Sequence, residues 1–394
     1  MRAALLRVIC LLGSSGAFSQ NCPAPALGPA NNQFAFDMYN ILNQQKGPVL
    51  YSPYSIFIAL HMAADGAKGA TASEMFNTLH SNGNTHCTHH DIQNAQQQYN
   101  SMQANGDTIQ TANSLWVESS FPLNTVYTDQ SKDWYNASIK TTSFIKSPEP
   151  SRKTINGWVE EQTHQRIKDL LAPGSVTSFT RLVLVNTIWL KAKWLTPFKH
   201  ENTRDDEFYA TDAAIRVPFM NMTLVTGYTE DESMQMIELP YKSNKLSMIV
   251  MLPVKGKEDG FAKKFNLEQA TQWIGQLEQK RTQISLPKFK MTASFTLNTV
   301  LKKLGMKTAF TDAADFSGIS NKGLQISEVI HKAFIEVDEA GTEAAAATGV
   351  TVVGRSIMTP PKIEKVFKAD HPFIFFLYDK ENKTILFVGK MDKP

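Results

Sequence analysis

Hydrophobic and polar positions follow two periods along this chain, a helical one in the early part and a strand-like one toward the end. The stretch "SPYSIFIALHMAADG" is apolar on nearly every face, which predicts a buried helix entered at Ser52 and Pro53. In "GATASEMFNTL", which follows, Thr71 and Glu74 have the spacing of a capping box. "SRKTINGWVEEQTHQRIKDLL" is amphipathic and predicts a further helix, whereas the continuous apolar run "RLVLVNTIWL" suits a strand covered on both faces. "MIELPYKSNKLSMIVMLP" predicts two strands around a polar turn at Lys242 to Asn244, and "HPFIFFLYDKENKTILFVGKM" two more around Asp379 to Lys383. No linker, low-complexity tract or internal repeat divides the chain, so the pattern predicts a single α+β domain built on large sheets.

One stretch resists a helical reading. "DEAGTEAAAATGV", residues 338–350, holds four consecutive alanines, but Gly341 and Gly349 close it at both ends and so short a helix is marginal alone. At strand period, Thr342, Ala344, Ala346, Thr348, Val350, Val352 and Gly354 share one face, and Glu343, Ala345, Ala347, Gly349, Thr351 and Val353 share the other. The first face carries no charge and only small or β-branched residues. A strand of that kind can slide between two existing strands, because a buried unpaired charge is what such an entry could not tolerate. An exposed loop rich in small residues is the other reading of the same composition.

Composition narrows the class. The 394 residues are 42% hydrophobic and 20% charged, ample for a large core. A formal charge of +3, from 40 basic against 37 acidic residues, is too balanced to indicate a nucleic-acid partner. Arg2, the short apolar run "AALLRVICLLG" and the small residues Ala17 and Ser19 predict an export signal over residues 1–19, leaving a single domain over 20–394. No later run is long enough to cross a membrane, so the expected product is secreted and extracellular. Removing the leader takes Cys10 away and leaves Cys22 and Cys87, either as one bridge or as two free thiols. Asn136, Asn221 and Asn382 each open an N-glycosylation sequon, consistent with that compartment.

Catalytic patterns are missing: the sequence has no G-x-S-x-G, no G-x-x-x-x-G-K, no H-E-x-x-H and no C-x-x-C. "HCTHH" gathers His86, Cys87, His89 and His90, but it reads as a polar loop beside a disulfide candidate, and no metal or other cofactor is expected. His331, inside the alternating run "ISEVIHKAFIEV", reads as a hydrogen-bonded structural residue rather than a base. A hydrolase with a triad assembled across distant segments is not excluded by spacing, and nothing points to one.

Several long motifs resemble the serpins. "EAGTEAAAATG" resembles the hinge of the inhibitory members, and "FKADHPFIFF" with "ILFVGKM" their C-terminal signature. "LYSPYSIFIALHMAADGAKGAT", "LVLVNTIWLKAKWLTPF", "IELPYKSNKLSMIVMLP" and "LPKFKMTASFTL" match in order, so the resemblance covers about residues 30–394. It implies three β-sheets, about nine helices and an exposed reactive centre loop at about 339–361. It also implies a suicide mechanism, in which a serine protease acylates on the loop and the cleaved loop inserts into the main sheet. Fourteen inserted residues would carry the tethered protease about 45 Å.

Family spacing from the hinge (Glu339, Gly341, Thr342, Glu343, Ala344, Ala345, Ala346, Ala347, Thr348) puts the reactive bond at Arg355–Ser356, an antithrombin-like Gly-Arg-Ser, and so implies trypsin-like, Arg-specific targets. Ser52, Ser55, Asn186 and His331 match the polar cluster beneath the sheet's opening point, and Trp194 with a Glu339–Lys288 pair matches the loop's entry. "DIQNAQQQYNSMQ" falls where heparin-binding relatives carry basic helical residues, yet it has no Lys or Arg, so heparin-like glycosaminoglycan activation at that site is not expected. Lys302, Lys303 and Lys307 form a weaker candidate patch elsewhere. The expected state is a monomer that is not an enzyme and binds neither nucleic acid nor membrane. The alternative is a non-inhibitory member acting as carrier, chaperone or storage protein.

Overall fold

The computed structural model describes residues 22, 26–44, 47–81, 85–102, 107–342 and 362–394. The expected leader (1–19) lies outside them, as do Glu343, Ala344, Ala345, Ala346, Ala347, Thr348, Arg355 and Ser356. Among the described residues there are nine α-helices: α1 (Leu27–Leu42), α2 (Pro53–Asp65), α3 (Gly69–Thr78), α4 (Thr85–Met102), α5 (Thr125–Tyr135), α6 (Pro148–Gln162), α7 (Glu258–Lys264), α8 (Leu267–Gly275) and α9 (Asn298–Lys303). The strands are β1 (Val49–Tyr51), β2 (Thr108–Glu118), β3 (Ser138–Thr142), β4 (Leu182–Lys193), β5 (Arg204–Tyr209), β6 (Ala214–Glu230), β7 (Met234–Pro240), β8 (Leu246–Pro253), β9 (Glu278–Pro287), β10 (Phe289–Thr296), β11 (Glu328–Val337), β12 (Gly341–Thr342), β13 (Lys365–Lys368), β14 (Phe373–Asp379) and β15 (Thr384–Met391).

They form two hydrogen-bonded sheets. A nine-stranded sheet runs β1-β15-β14-β8-β7-β6-β9-β13, with β5 on β6, and a six-stranded sheet runs β10-β11-β12-β4-β2-β3. The 17-residue β6 pairs with β5, β7 and β9, so what the family pattern divides into two sheets is continuous in its hydrogen bonding here.

Helix α2 sits in the core that these sheets enclose. The Ser52 side chain caps it by accepting from Ser55 N, Pro53 starts the first turn, and every residue from Pro53 to Ala64 is buried. Along β4 the even residues Leu182, Leu184, Ile188, Leu190 and Ala192 face this core, while Val183 and Val185 face a second cluster under α6 with Trp116, Ile155, Val159, Ile330 and Phe334. The six-stranded sheet is therefore covered on both faces, as the unbroken apolar run in "RLVLVNTIWL" requires.

Three local expectations are corrected. Thr71 and Glu74 make no capping box: Thr71 Oγ1 accepts from Asp315 N at 3.0 Å, and Glu74 receives the backbone N–H groups of Lys307 and Thr308 at 2.8 and 2.6 Å. Both residues cap a distant turn instead of their own helix. α6 stops at Gln162, because His164 and Gln165 take positive φ (48° and 64°), and the Asn156 side chain ties to Leu171, accepting from its N–H and donating to its carbonyl. "HCTHH" is not a loop; it forms the first turns of α4, whose buried stripe is Thr88, Ile92, Ala95, Tyr99 and Met102. No helix among the described residues is long and apolar enough to cross a membrane.

Candidate functional site at the sheet opening

β4 and β11 are parallel neighbours from Glu328↔Val183 to Ala333↔Ile188. Above that point they separate, and β12 stands between them, with Gly341 opposite Lys193, Thr342 opposite Ala192, and Thr342 opposite Val337 on the other side. The chain reaches this slot through a tight turn. Asp338 Oδ1 accepts from Ala340 N and Gly341 N at 2.8 and 3.2 Å, and the Asp338 N–H donates to Gly341 O at 2.9 Å. Gly341 fits because it has no side chain: a Cβ there would lie 2.1 Å from Ala192 O.

Side chains from four segments fasten the turn. Trp194 Nε1 donates to Asp338 O at 2.9 Å, and the indole stacks on Tyr241 with centroids 4.7 Å apart. Tyr241 in turn shares a hydrogen bond of 2.7 Å with Thr342 Oγ1, and Thr342 is fully buried. Glu339 meets Lys288 Nζ at 2.8 Å, Thr203 Oγ1 at 2.7 Å and His200 Nδ1 at 2.9 Å. Burial alone would push this carboxyl up, but the hydrogen bonds from Lys288, Thr203 and His200 outweigh it and hold the pKa at about 2.

Below the slot the seam is polar and buried. His331 on β11 lies directly opposite Asn186 on β4. The Ser52 N–H can only donate, so His331 Nε2 accepts it (3.0 Å) and Nδ1 carries the proton, donating to Asn186 Oδ1 at 2.7 Å. The Asn186 amide shares its own hydrogens among Ser55 O, Ser55 Oγ and Asn113 Oδ1, and Ser55 Oγ donates to Thr187 O at 3.3 Å. Burial pushes the His331 pKa down to about 3, so the imidazole is neutral. The cluster thus joins β2, β4, β11 and the start of α2 through neutral hydrogen bonds alone.

Of the residues named from sequence, Ser52, Ser55, Asn186 and His331 meet in one cluster, and Trp194, Lys288, Glu339, Gly341 and Thr342 meet at the slot. Asn113, His200, Thr203 and Tyr241 were missed. Their partners come from remote segments, so no local spacing marks them. Cys22 and Cys87 are joined in a disulfide. Among the sequons, Asn136 is an exposed left-handed helix cap (φ 48°). The amide nitrogens of Asn221 and Asn382 are instead spent on Asn202 O and Phe219 O, and on Gln98 Oε1 and Asp379 Oδ2.

A family model described as "Serpin (serine protease inhibitor)" matches residues 29–394. The chain is 39% identical over 366 residues to an uncharacterized serpin-like protein of Thermococcus kodakarensis, covering 93% of this chain and 85% of the relative. It is 37% identical over 381 residues to the leukocyte elastase inhibitor of Bos taurus, covering 93% and 99%. The structure superposes on that of Serpin48, described as a highly specific serpin of the insect Tenebrio molitor, with a TM-score of 0.84 and 30% identity, covering 95% of this chain and all of the other.

Proposed function

This chain belongs to the serpin family, and from that premise we propose that it is a secreted, monomeric suicide inhibitor of trypsin-like serine proteases, cleaved between Arg355 and Ser356. The observation that carries the reading is the register at β12. Thr342 lies opposite Ala192 in an antiparallel pairing, so each step along the loop meets one step back along β4, and Thr348 would fall opposite Asn186. Because Thr342 is buried on the core side, Ala344, Ala346, Thr348, Val350 and Val352 would share its face. That is the uncharged face, while Glu343 falls on the other. Insertion would replace the six β4–β11 pairs with pairs to the new strand.

In this mechanism the protease supplies the nucleophile and the inhibitor supplies the bond. The protease serine attacks the Arg355 carbonyl, the peptide bond to Ser356 breaks, and the new amine at Ser356 departs with its proton. The freed hinge then enters the seam before water hydrolyses the ester. The guanidinium of Arg355 suits an acidic specificity pocket. Cleavage of a leader after Ser19 and a glycan on the exposed Asn136 belong to the same reading.

The test is to mix the purified protein with trypsin and with thrombin, run denaturing electrophoresis, and sequence the released peptide by mass spectrometry. A detergent-stable complex with a peptide beginning at Ser356 is expected, and Arg355→Ala abolishes it. Clean cleavage without complex overturns inhibition in favour of the non-inhibitory role; turnover of a substrate unchanged in Arg355→Ala would mark a hydrolase.

A further inference from the structure

Away from the sheet opening, four polar side chains from three helices converge at the far end of α2. His61 and Asp65 lie one turn apart on α2, His89 comes from α4 and Tyr135 from the end of α5. One ligating atom each from His61, Asp65 and His89 lie within 4.8 Å of one another. His61 Nδ1 is 2.9 Å from Tyr135 Oη and 3.9 Å from an Asp65 oxygen, His89 Nε2 is 2.8 Å from the other Asp65 oxygen, and the Tyr135 hydroxyl donates to that same oxygen. We propose that His61, Asp65, His89 and Tyr135 form a binding site for a divalent metal ion of the zinc class.

Two imidazoles and one carboxylate are the three protein donors of an open zinc-type site, and the Tyr135 phenol oxygen stands where such a site takes its fourth oxygen. Bonds of about 2.0–2.1 Å in a tetrahedron place neighbouring donor atoms about 3.3 Å apart; to reach that, the His61–Tyr135 and His89–Asp65 contacts (2.9 and 2.8 Å) and the closer Tyr135–Asp65 hydrogen bond open, while His61 Nδ1 and Asp65 Oδ1 (3.9 Å) draw together. His61 is fully buried and its Nε2 has no hydrogen-bond partner, so all its hydrogen-bonding capacity is spent through Nδ1, the nitrogen that faces the cluster. His89 is fixed by stacking on Trp134, with centroids 4.0 Å apart and planes 14° apart. The Asp65 side chain keeps 11% of its surface exposed and that of His89 9%, which leaves an entry route from solvent.

On binding, metal bonds form to His61 Nδ1, His89 Nε2, an Asp65 oxygen and Tyr135 Oη. Both imidazoles stay neutral, but the protons that His61 Nδ1 and His89 Nε2 donate to Tyr135 and Asp65 in the metal-free cluster move to His61 Nε2 and His89 Nδ1, and the phenol proton leaves to solvent. Two positive charges then meet one carboxylate and one phenolate, so the filled site is uncharged overall. The ion would tie α4 and α5 to the helix whose first turn, at Ser52 and Ser55, lies under the β4–β11 seam.

The experiment strips the full-length protein with EDTA and titrates it with Co2+, reading the visible d–d bands, and then with Zn2+ in competition. One ion per chain with tetrahedral bands is expected. His89→Gln weakens binding by at least about a hundredfold, more than the loss of an outer partner would. His86→Gln with His90→Gln, two exposed histidines of the same helix, leaves it unchanged. Tyr135→Phe, which keeps the ring, binds more weakly with altered bands as water takes the fourth position. No stoichiometric, EDTA-reversible uptake by the wild type overturns the proposal whatever the variants do. So does uptake that follows His86 and His90 rather than His89, and unchanged bands in Tyr135→Phe overturn the four-donor set.

Discussion

The β4–β11 seam of the six-stranded sheet and the β8–β14 pair of the nine-stranded sheet are both buried, yet they are closed by different chemistry. β8 is buried at every position, and β14 presents Phe373, Ile374, Phe375, Phe376 and Leu377 to the core, with the Phe376 ring 5.8 Å from those of Phe36 and Phe265. At the seam, His331 and Asn186 hold the two strands and α2 together through exchangeable hydrogen bonds. Opening an aromatic interlock forfeits dispersion contacts that nothing replaces, whereas a neutral polar seam can trade one strand partner for another at small net cost. Under the proposed mechanism, the nine-stranded sheet stays shut and the β4–β11 seam is the one that admits a strand.

That contrast can be broken most severely at the slot. Thr342→Arg puts a charge where Thr342 is fully buried against Tyr241, so the protease complex is expected to vanish while cleavage persists, as read on a denaturing gel. Phe376→Ala should cost about 3–5 kcal/mol of stability in urea unfolding but leave the proportion of trapped protease unchanged. Asn186→Ala should cost less, about 1–3 kcal/mol, because it orphans buried partners without emptying much volume, yet it should speed entry of a synthetic peptide copying residues 342–354, followed on native gels.

The last effect is a pH slope, small in about the first half unit below pH 6.5 and growing as the pH drops. The folded chain holds His331 neutral down to about 3, while an unfolded chain takes up that proton near 6.5. Stability is therefore unaffected above about 6.5 and falls as pH drops from there toward 3, and His331→Asn should flatten that part of the melting-temperature profile.

Much of this contrast was legible in the residues. Strand period alone separated an uncharged face of the hinge from the face bearing Glu343, and the continuous apolar run of β4 announced a strand covered on both sides. The four-way fastening of the turn was not legible: Tyr241 and His200 are brought to Asp338–Thr342 only by the closure of the sheets, and no periodicity encodes a contact across 101 or 139 positions. "HCTHH" misled for another reason. Its polarity hid the stripe of Ile92, Ala95, Tyr99 and Met102 downstream, whose spacing of three and four marks the helix that carries His89 to His61.

Strand entry at the seam is tested most directly by calorimetry of the chain cleaved after Arg355, both fragments retained. A central strand bonded to β4 and β11 on either side should make the cleaved protein melt several degrees or more above the intact one. An unchanged or lower melting temperature would mean that the freed loop stays outside the sheet, contradicting the mechanism.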